Sequence, residues 1–287
     1  MVLQKRFRDI VIITFLFLVL VLHTCSIVFV SSSTIKGVPL WFKEGVYVEF
    51  FGKGAEIDFI NGSRKVVMNG NSFFRWECLT FNGSMAKLKV TVMLVLNDVR
   101  VFEYSVHIFV DVSSRDVFSE HGEPCGKTML WLPTNLDEGD TVTFGYPGCY
   151  INGTITDRGY NVKTPYGYQK CFEAEFKTEG SVNVTYRNKT YSLYGLWNWL
   201  DYDLDTGLLI QMAHSGGEGT LYPLGIFKIY SLMLIHETNI DIGPGLILPE
   251  IISFFWVAAP VLFFALFFLL VYYQRRKKRR LMKKGKK

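Results

Sequence analysis

From residue 102 to residue 112 the side chains alternate: Phe102, Tyr104, Val106, Ile108, Val110 and Val112 hold one set of positions, and Glu103, Ser105, His107 and Asp111 the other. Successive side chains of an extended chain point to opposite faces, so this period of two predicts a strand with one buried and one wetted face. The same alternation recurs at residues 172–177 and 182–187. Between residues 34 and 246 there is almost no helical period of 3.6, which excludes a helical bundle.

Turn chemistry cuts this region into pieces. Lys53-Gly54, Asn61-Gly62, Asn69-Gly70-Asn71, Asn82-Gly83 and Asn97-Asp98 divide residues 45–112 into six consecutive strands. Asn-Gly and its relatives supply the positive φ angles that a two-residue hairpin needs. A Gly/Pro-rich stretch, 119–133, reads as a break. A second set of strands is expected near 141–146, 149–163, 168–177, 181–187, 190–200, 207–213 and 224–237. Short links between neighbours make an up-and-down antiparallel meander, so the expected fold class is mainly β, a curved sheet or partial barrel. Two stacked β subdomains meeting near residue 120 are the alternative.

Apolar segments flank this region. Residues 251–274 carry no charge and end at Arg275-Arg276-Lys277-Lys278-Arg279-Arg280, with Trp256 near one end and Tyr272-Tyr273 at the other. Such a run is long enough to span a bilayer, and a basic flank stays in the cytoplasm. Residues 10–35 are also uncharged and follow Lys5, Arg6 and Arg8, which suits either a cleaved signal peptide or an N-terminal transmembrane anchor. The expected organisation is a signal or anchor over 1–33, an extracytoplasmic β-domain over 34–246, a transmembrane helix over 247–274 and a cytoplasmic polybasic tail over 275–287. The protein is thus expected in the cell membrane, as a single- or two-pass chain.

Charge must be divided along this plan. The net charge is +5, but the tail alone holds ten Lys/Arg and no acid, and the first nine residues carry +2, which leaves the body at −7. An acidic body gives no reason to expect nucleic acid as a partner. The tail is expected to meet the bilayer and, as a polybasic patch, anionic lipid. With 16% aromatic and 20% charged residues the chain is not disordered.

Cysteines and sequons fit an outward location. Cys78, Cys125, Cys149 and Cys171 lie in the β region, an even number. Cys125 and Cys149 sit in Gly/Pro loops where the backbone can adjust, whereas Cys171 lies on a strand opposite residues near Asn161. This predicts a Cys125–Cys149 bridge, with Cys78–Cys171 as its consequence. Asn61, Asn82, Asn152, Asn183 and Asn188 each begin an Asn-X-Ser/Thr sequon and are expected glycosylation sites.

Chemistry-bearing motifs are incomplete. Gly126-Lys127-Thr128 ends like a phosphate loop, but His121 stands where that loop needs glycine. Asp201, Asp203 and Asp205 have a calcium-loop rhythm, but Thr206 replaces the glycine and Met212 the bidentate acid. The histidines show no metal-ligand spacing, and the one tight acid–histidine cluster is Glu120, His121 and Glu123. No catalytic residue, metal site or cofactor is therefore predicted.

Trp131-Leu132-Pro133 with Leu136 and Gly139-Asp140, the run from Tyr202-Asp203-Leu204-Asp205 to Thr206-Gly207-Leu208-Leu209, and Thr238-Asn239-Ile240-Asp241 resemble pieces of uncharacterised archaeal membrane-anchored cell-surface proteins with an outward β-domain. The resemblance implies compartment and architecture, and no activity. The leading expectation is an extracytoplasmic binding or structural module of the cell surface, with an unidentified surface protein or ligand as partner. One alternative is a carrier of lipid or another apolar ligand in a curved-sheet pocket lined by Phe74, Trp76, Tyr194, Trp197 and Trp199. An extracellular hydrolase is the other.

Overall fold

The computed structural model describes residues 38–54, 56–178, 180–195, 197–213 and 218–243. The two apolar segments and the basic tail lie outside the described residues. Every regular element within them is a strand. In chain order these are β1 (Tyr47–Lys53), β2 (Glu56–Phe59), β3 (Arg64–Val66), β4 (Asn71–Phe81), β5 (Met85–Leu96), β6 (Val99–Asp111), β7 (Asp116–Ser119), β8 (Pro124–Lys127) and β9 (Thr141–Tyr146). There follow β10 (Cys149–Thr164), β11 (Gly167–Lys177), β12 (Ser181–Tyr186), β13 (Lys189–Tyr194), β14 (Trp197–Asp203), β15 (Leu209–Ala213), β16 (Ile226–Ile229) and β17 (Leu232–Thr238).

Twelve strands close into one antiparallel barrel in the order β1, β17, β15, β14, β11, β10, β9, β8, β7, β6, β5, β4. Closure removes the edges that an open meander would expose. Two hairpins leave the ring. β2–β3 pairs with β16 as a small sheet, and β12–β13 forms a separate two-stranded sheet. The expected strand at 190–200 is thus two, parted at Gly195, and the one at 224–237 is two, parted near Ser231. The Gly/Pro-rich stretch 119–133 hides β8, which the sequence pattern does not reveal.

Alternation sorts the wall. On β5, Ala86, Leu88, Val90, Val92 and Leu94 are buried, while Lys87, Lys89 and Met93 face outward. A twelve-stranded ring is wider than side chains alone can fill, and the chain itself fills it. Residues 128–132 cross the interior: Trp131 bridges Leu208, Leu209 N donates to Leu130 O at 3.0 Å, and Trp131 Nε1 donates to Val112 O at 3.1 Å. Trp41 and Phe42 pack on Trp76 and Trp131 with ring centroids 5.1–6.3 Å apart. From the other side, Tyr146 Oη donates to the Phe227 carbonyl at 2.9 Å.

Two ionisable side chains, the fully buried Glu218 and the half-buried Arg115, tie these fillings together. Glu218 accepts from Thr128 Oγ1 at 2.6 Å, Met129 N at 3.3 Å and Thr220 N at 3.1 Å, and also from Thr220 Oγ1. Burial raises its carboxyl above the usual range, against those donors. Arg115 donates to Thr128 O at 3.3 Å and Thr143 O at 3.2 Å over the Phe144 ring, which fastens the crossing segment to β9. An unpaired buried charge would be costly, so each of these groups is enclosed by partners.

The described chain enters at Val38 and leaves at Gly243 on the same end of the barrel, where Asn239 Nδ2 donates to Gly45 O at 2.9 Å. The β2–β3–β16 sheet and the β12–β13 hairpin stand at the opposite end, beyond Lys53, Lys177 and Ala213.

Candidate functional site: a cleft in the barrel wall

The wall is uneven. β5 and β6 pair along their whole length, but β7 takes the far side of β6 only from Ile108 to Val110. β8 and β9 meet at a single pair, Lys127↔Gly145. At this one pair the backbones crowd. Gly126 (φ 101°) would place a Cβ 1.9 Å from the Gly145 carbonyl oxygen, and Gly145 (φ 131°) would place one 2.3 Å from the Cys149 carbonyl oxygen. Only glycine admits this approach. Because β7 pairs no further than Ile108, the upper part of β6, residues 99–107, has no second neighbour among the described strands.

A cleft of about 920 Å³ opens beside it. Ser105, Val106 and His107 of β6 form one wall, and Lys89 of β5 stands behind them. The β7–β8 turn, from Ser119 to Cys125, forms the floor. Thr185, Tyr186, Arg187 and Asn188 at the tip of β12–β13 form the opposite wall, with Tyr222 at the back.

Each wall is fixed locally. Ser119 Oγ accepts from His121 N at 3.2 Å and Glu123 N at 3.1 Å, which sets the floor turn. Arg187 and Asn188 both take positive φ, 49° and 62°, so the hairpin closes without glycine. Tyr222 Oη donates to the Thr185 carbonyl, and the Tyr186 and Tyr222 rings meet edge-on at 5.4 Å. Val184 is fully buried beneath the hairpin. The tip is thereby held against the barrel.

The floor turn brings the acid–histidine cluster into the cleft, together with His107, which the sequence pattern places only on a wet face. His107 Nδ1 lies 3.7 Å from Glu120 Oε1, and Lys87 Nζ donates to the same oxygen at 3.2 Å. The Lys87 ammonium holds the Glu120 carboxyl below its usual range. Burial, with Glu123 beside it, pushes the Cys125 thiol up to about 12, so it stays protonated and unreactive at neutral pH. The Ser105 hydroxyl pairs with Thr91 Oγ1 at 2.7 Å. Among the described residues no three His, Cys, Asp or Glu side chains form a group able to hold a metal ion.

The five residues expected to line one apolar pocket do not share one. Phe74 and Trp76 are fully buried in the packed interior, while Tyr194 is 84% and Trp197 52% exposed outside it. Trp199 is half-buried on the outer face of β14. None of them lines the cleft. On a strand the odd and even positions part company, and β13 lies outside the barrel altogether.

Neither expected disulfide is formed, and the four described cysteines are free thiols. β9 runs between β8, which carries Cys125, and β10, which carries Cys149. Cys78 belongs to β4 and Cys171 to β11, strands separated in the ring by four others. The expected pairing of Cys171 near Asn161 does hold, with Tyr160 opposite it.

Asp203 turns the β14–β15 hairpin: its Oδ1 accepts from Thr206 N at 2.7 Å and Thr206 Oγ1 at 2.6 Å. The aspartate run is thus a turn device, with Asp201 engaged separately by Tyr160 Oη. The five sequon asparagines are all exposed, and Asn188 stands on the cleft rim. Neither a protein-family model nor a curated protein matches the chain.

Proposed function

We propose that this protein is a membrane-anchored binding module of the cell surface, and that the lateral cleft is where its ligand sits. The observation that carries this reading is the contrast between a filled interior and an open side: Trp76, Trp131 and Tyr202 are enclosed, whereas about 920 Å³ stands open between β6 and the β12–β13 tip. Sites of this volume, walled by a few convergent polar groups and aromatic rings on a rigid frame, are where ligands bind. The sequence supports the compartment through the uncharged run at 251–274 and the ten basic residues after it.

The filled interior speaks against a lipid carrier, which needs an apolar cavity. A hydrolase gains the cluster of Ser105, His107 and Glu120 on one side of the cleft. The Ser105 hydroxyl, however, is engaged by Thr91 rather than by His107, and Lys87 shares the Glu120 carboxylate, which weakens this reading.

The test is affinity capture with the full chain from detergent-solubilised membranes, beside the double variant Lys89→Glu/Arg187→Glu. Both residues are exposed, so the fold is kept. The expected result is a partner retained by the parent and lost by the variant. Equal recovery with both chains, or no partner with either under several mild detergents, overturns the reading.

A further inference from the structure

This inference rests on the cleft being the ligand site and adds what enters it. We propose that the cleft receives an extended peptide segment that pairs as an added strand with the edge of β6 that no described strand occupies, with apolar side chains toward the barrel and acidic ones on the outer face.

The register decides which backbone groups are free. Val112 N donates to Ser84 O at 2.9 Å, just beyond the pair Met85↔Asp111. In an antiparallel ladder hydrogen-bonded and non-bonded pairs alternate. Counting back along the pairs up to Leu94↔Phe102, the even-numbered residues of β6 exchange bonds with β5. The N–H and C=O groups of Glu103, Ser105 and His107 therefore aim at the other edge. β7 occupies that edge only as far as Ser119, opposite Ile108. An added strand takes up the line that β7 leaves when it turns, and five residues of it cover about 17 Å.

The side chains along this edge fit the same guest. Val106 lines the cleft, and beyond its mouth along the same edge Tyr104, Val101 and Val99 are 42%, 39% and 62% exposed. Edges of sheets are ordinarily blunted by charge, proline or cover, so apolar groups left open there mark an edge that pairs. Lys89 and Arg187, behind and across the cleft, have no carboxylate partner among the described residues. Among the described residues Glu123 is the lining acid without a cation, whereas Glu120 is held by Lys87. The unpaired rim groups are thus net positive, which favours acidic side chains on the guest.

The experiment uses the full chain in detergent and a fluorescein-labelled peptide of seven residues alternating Val and Glu, read by anisotropy. N-methylation of one alternate set of peptide amides is expected to weaken binding at least tenfold, and of the other set less than twofold, because one set faces β6 and the other faces away. Ser105→Pro, which deletes a cleft-facing N–H on an edge where proline is tolerated, is expected to weaken binding similarly. A Val/Lys peptide is expected to bind at least fivefold more weakly.

Equal effects of the two N-methylated sets, no response to Ser105→Pro in a folded chain, or no binding of the Val/Glu peptide overturns the proposal. A dimer of the chain that Ser105→Pro disperses makes the occupant a second copy and overturns it equally. Loss of a captured partner in Lys89→Glu/Arg187→Glu, alongside any of these results, keeps the cleft as the ligand site and removes strand addition alone.

Discussion

The β5–β6 ladder runs through twelve residue pairs, and the β8–β9 junction consists of one. Both belong to the same closed ring, yet they are built from opposite materials. β5 and β6 are alternating strands, rich in Val and Leu in β5 and in Val, Ile and Phe in β6, and the inner face of β5 and of the lower part of β6 packs on the interior. β8 and β9 approach through Gly126 and Gly145, with Pro124 and Pro147 close by. Side-chain alternation makes a wall. Close glycine contact makes a seam, and on the near side of it the turn set by Ser119 ends β7 early and leaves β6 paired on one side beyond Ile108 among the described strands.

If the interior holds the wall, its deletion costs the most. Trp131→Ala removes the ring that packs Trp41, Phe42 and Trp76, and is expected to lower the unfolding free energy by about 3–5 kcal/mol in chemical denaturation. A loss under 1 kcal/mol means that the crossing segment is not what fills the barrel.

The seam comes next. Gly126→Ala forces a Cβ into the Gly145 carbonyl at a φ of 101°, and is expected to cost about 2–3 kcal/mol. Amide exchange should speed up first in β8 and β9 rather than in β5. Uniform loosening of the ring would show that seam and wall are one cooperative unit.

On the closed side, Asp201 offers a pH test. Burial raises its carboxyl to about 6, Glu173 adds to the rise, and the Tyr160 hydroxyl opposes it. A carboxyl raised in the fold binds its proton more tightly there than in the unfolded chain, so it contributes stability at low pH. That stability is lost as pH climbs from about 4 through 6. Asp201→Asn keeps an acceptor for Tyr160 and has no proton to lose. Its stability relative to the parent is expected to improve by on the order of 2 kcal/mol between pH 4 and pH 7.5. A difference that stays flat across this range refutes the assignment.

The smallest effect belongs to the open side. Lys89→Glu/Arg187→Glu is expected to change stability by no more than about 0.5 kcal/mol, because neither cation has an ion-pair partner to lose among the described residues. A larger change in thermal unfolding would make the cleft rim part of the frame.

Most of the wall was legible in the sequence and most of the cleft was not. Period two marked the inner faces of β6 and β11, turn chemistry bounded β4 and β5, and Asn97-Asp98 marked the turn between β5 and β6, both residues taking positive φ. Residues 119–133 were opaque because glycine and proline there signal a loop, whereas β8 uses Gly126 to approach another strand. The β12–β13 tip was opaque for a related reason. Arg187 and Asn188 take positive φ without glycine. The cleft needs three distant pieces side by side, β6, the β7–β8 turn and that tip, and no local pattern states that they meet. His107 and Glu120 were visible singly, as a wet-face histidine and a cluster member.

Residue-resolved amide hydrogen exchange along β6 in the full chain tests the central claim, that the barrel wall is left half-paired at this strand. Slow exchange is predicted at Tyr104 and Val106, whose N–H groups bond to β5, with exchange at least a hundredfold faster at Glu103, Ser105 and His107. Equal protection at odd and even positions from 103 to 107 would contradict it.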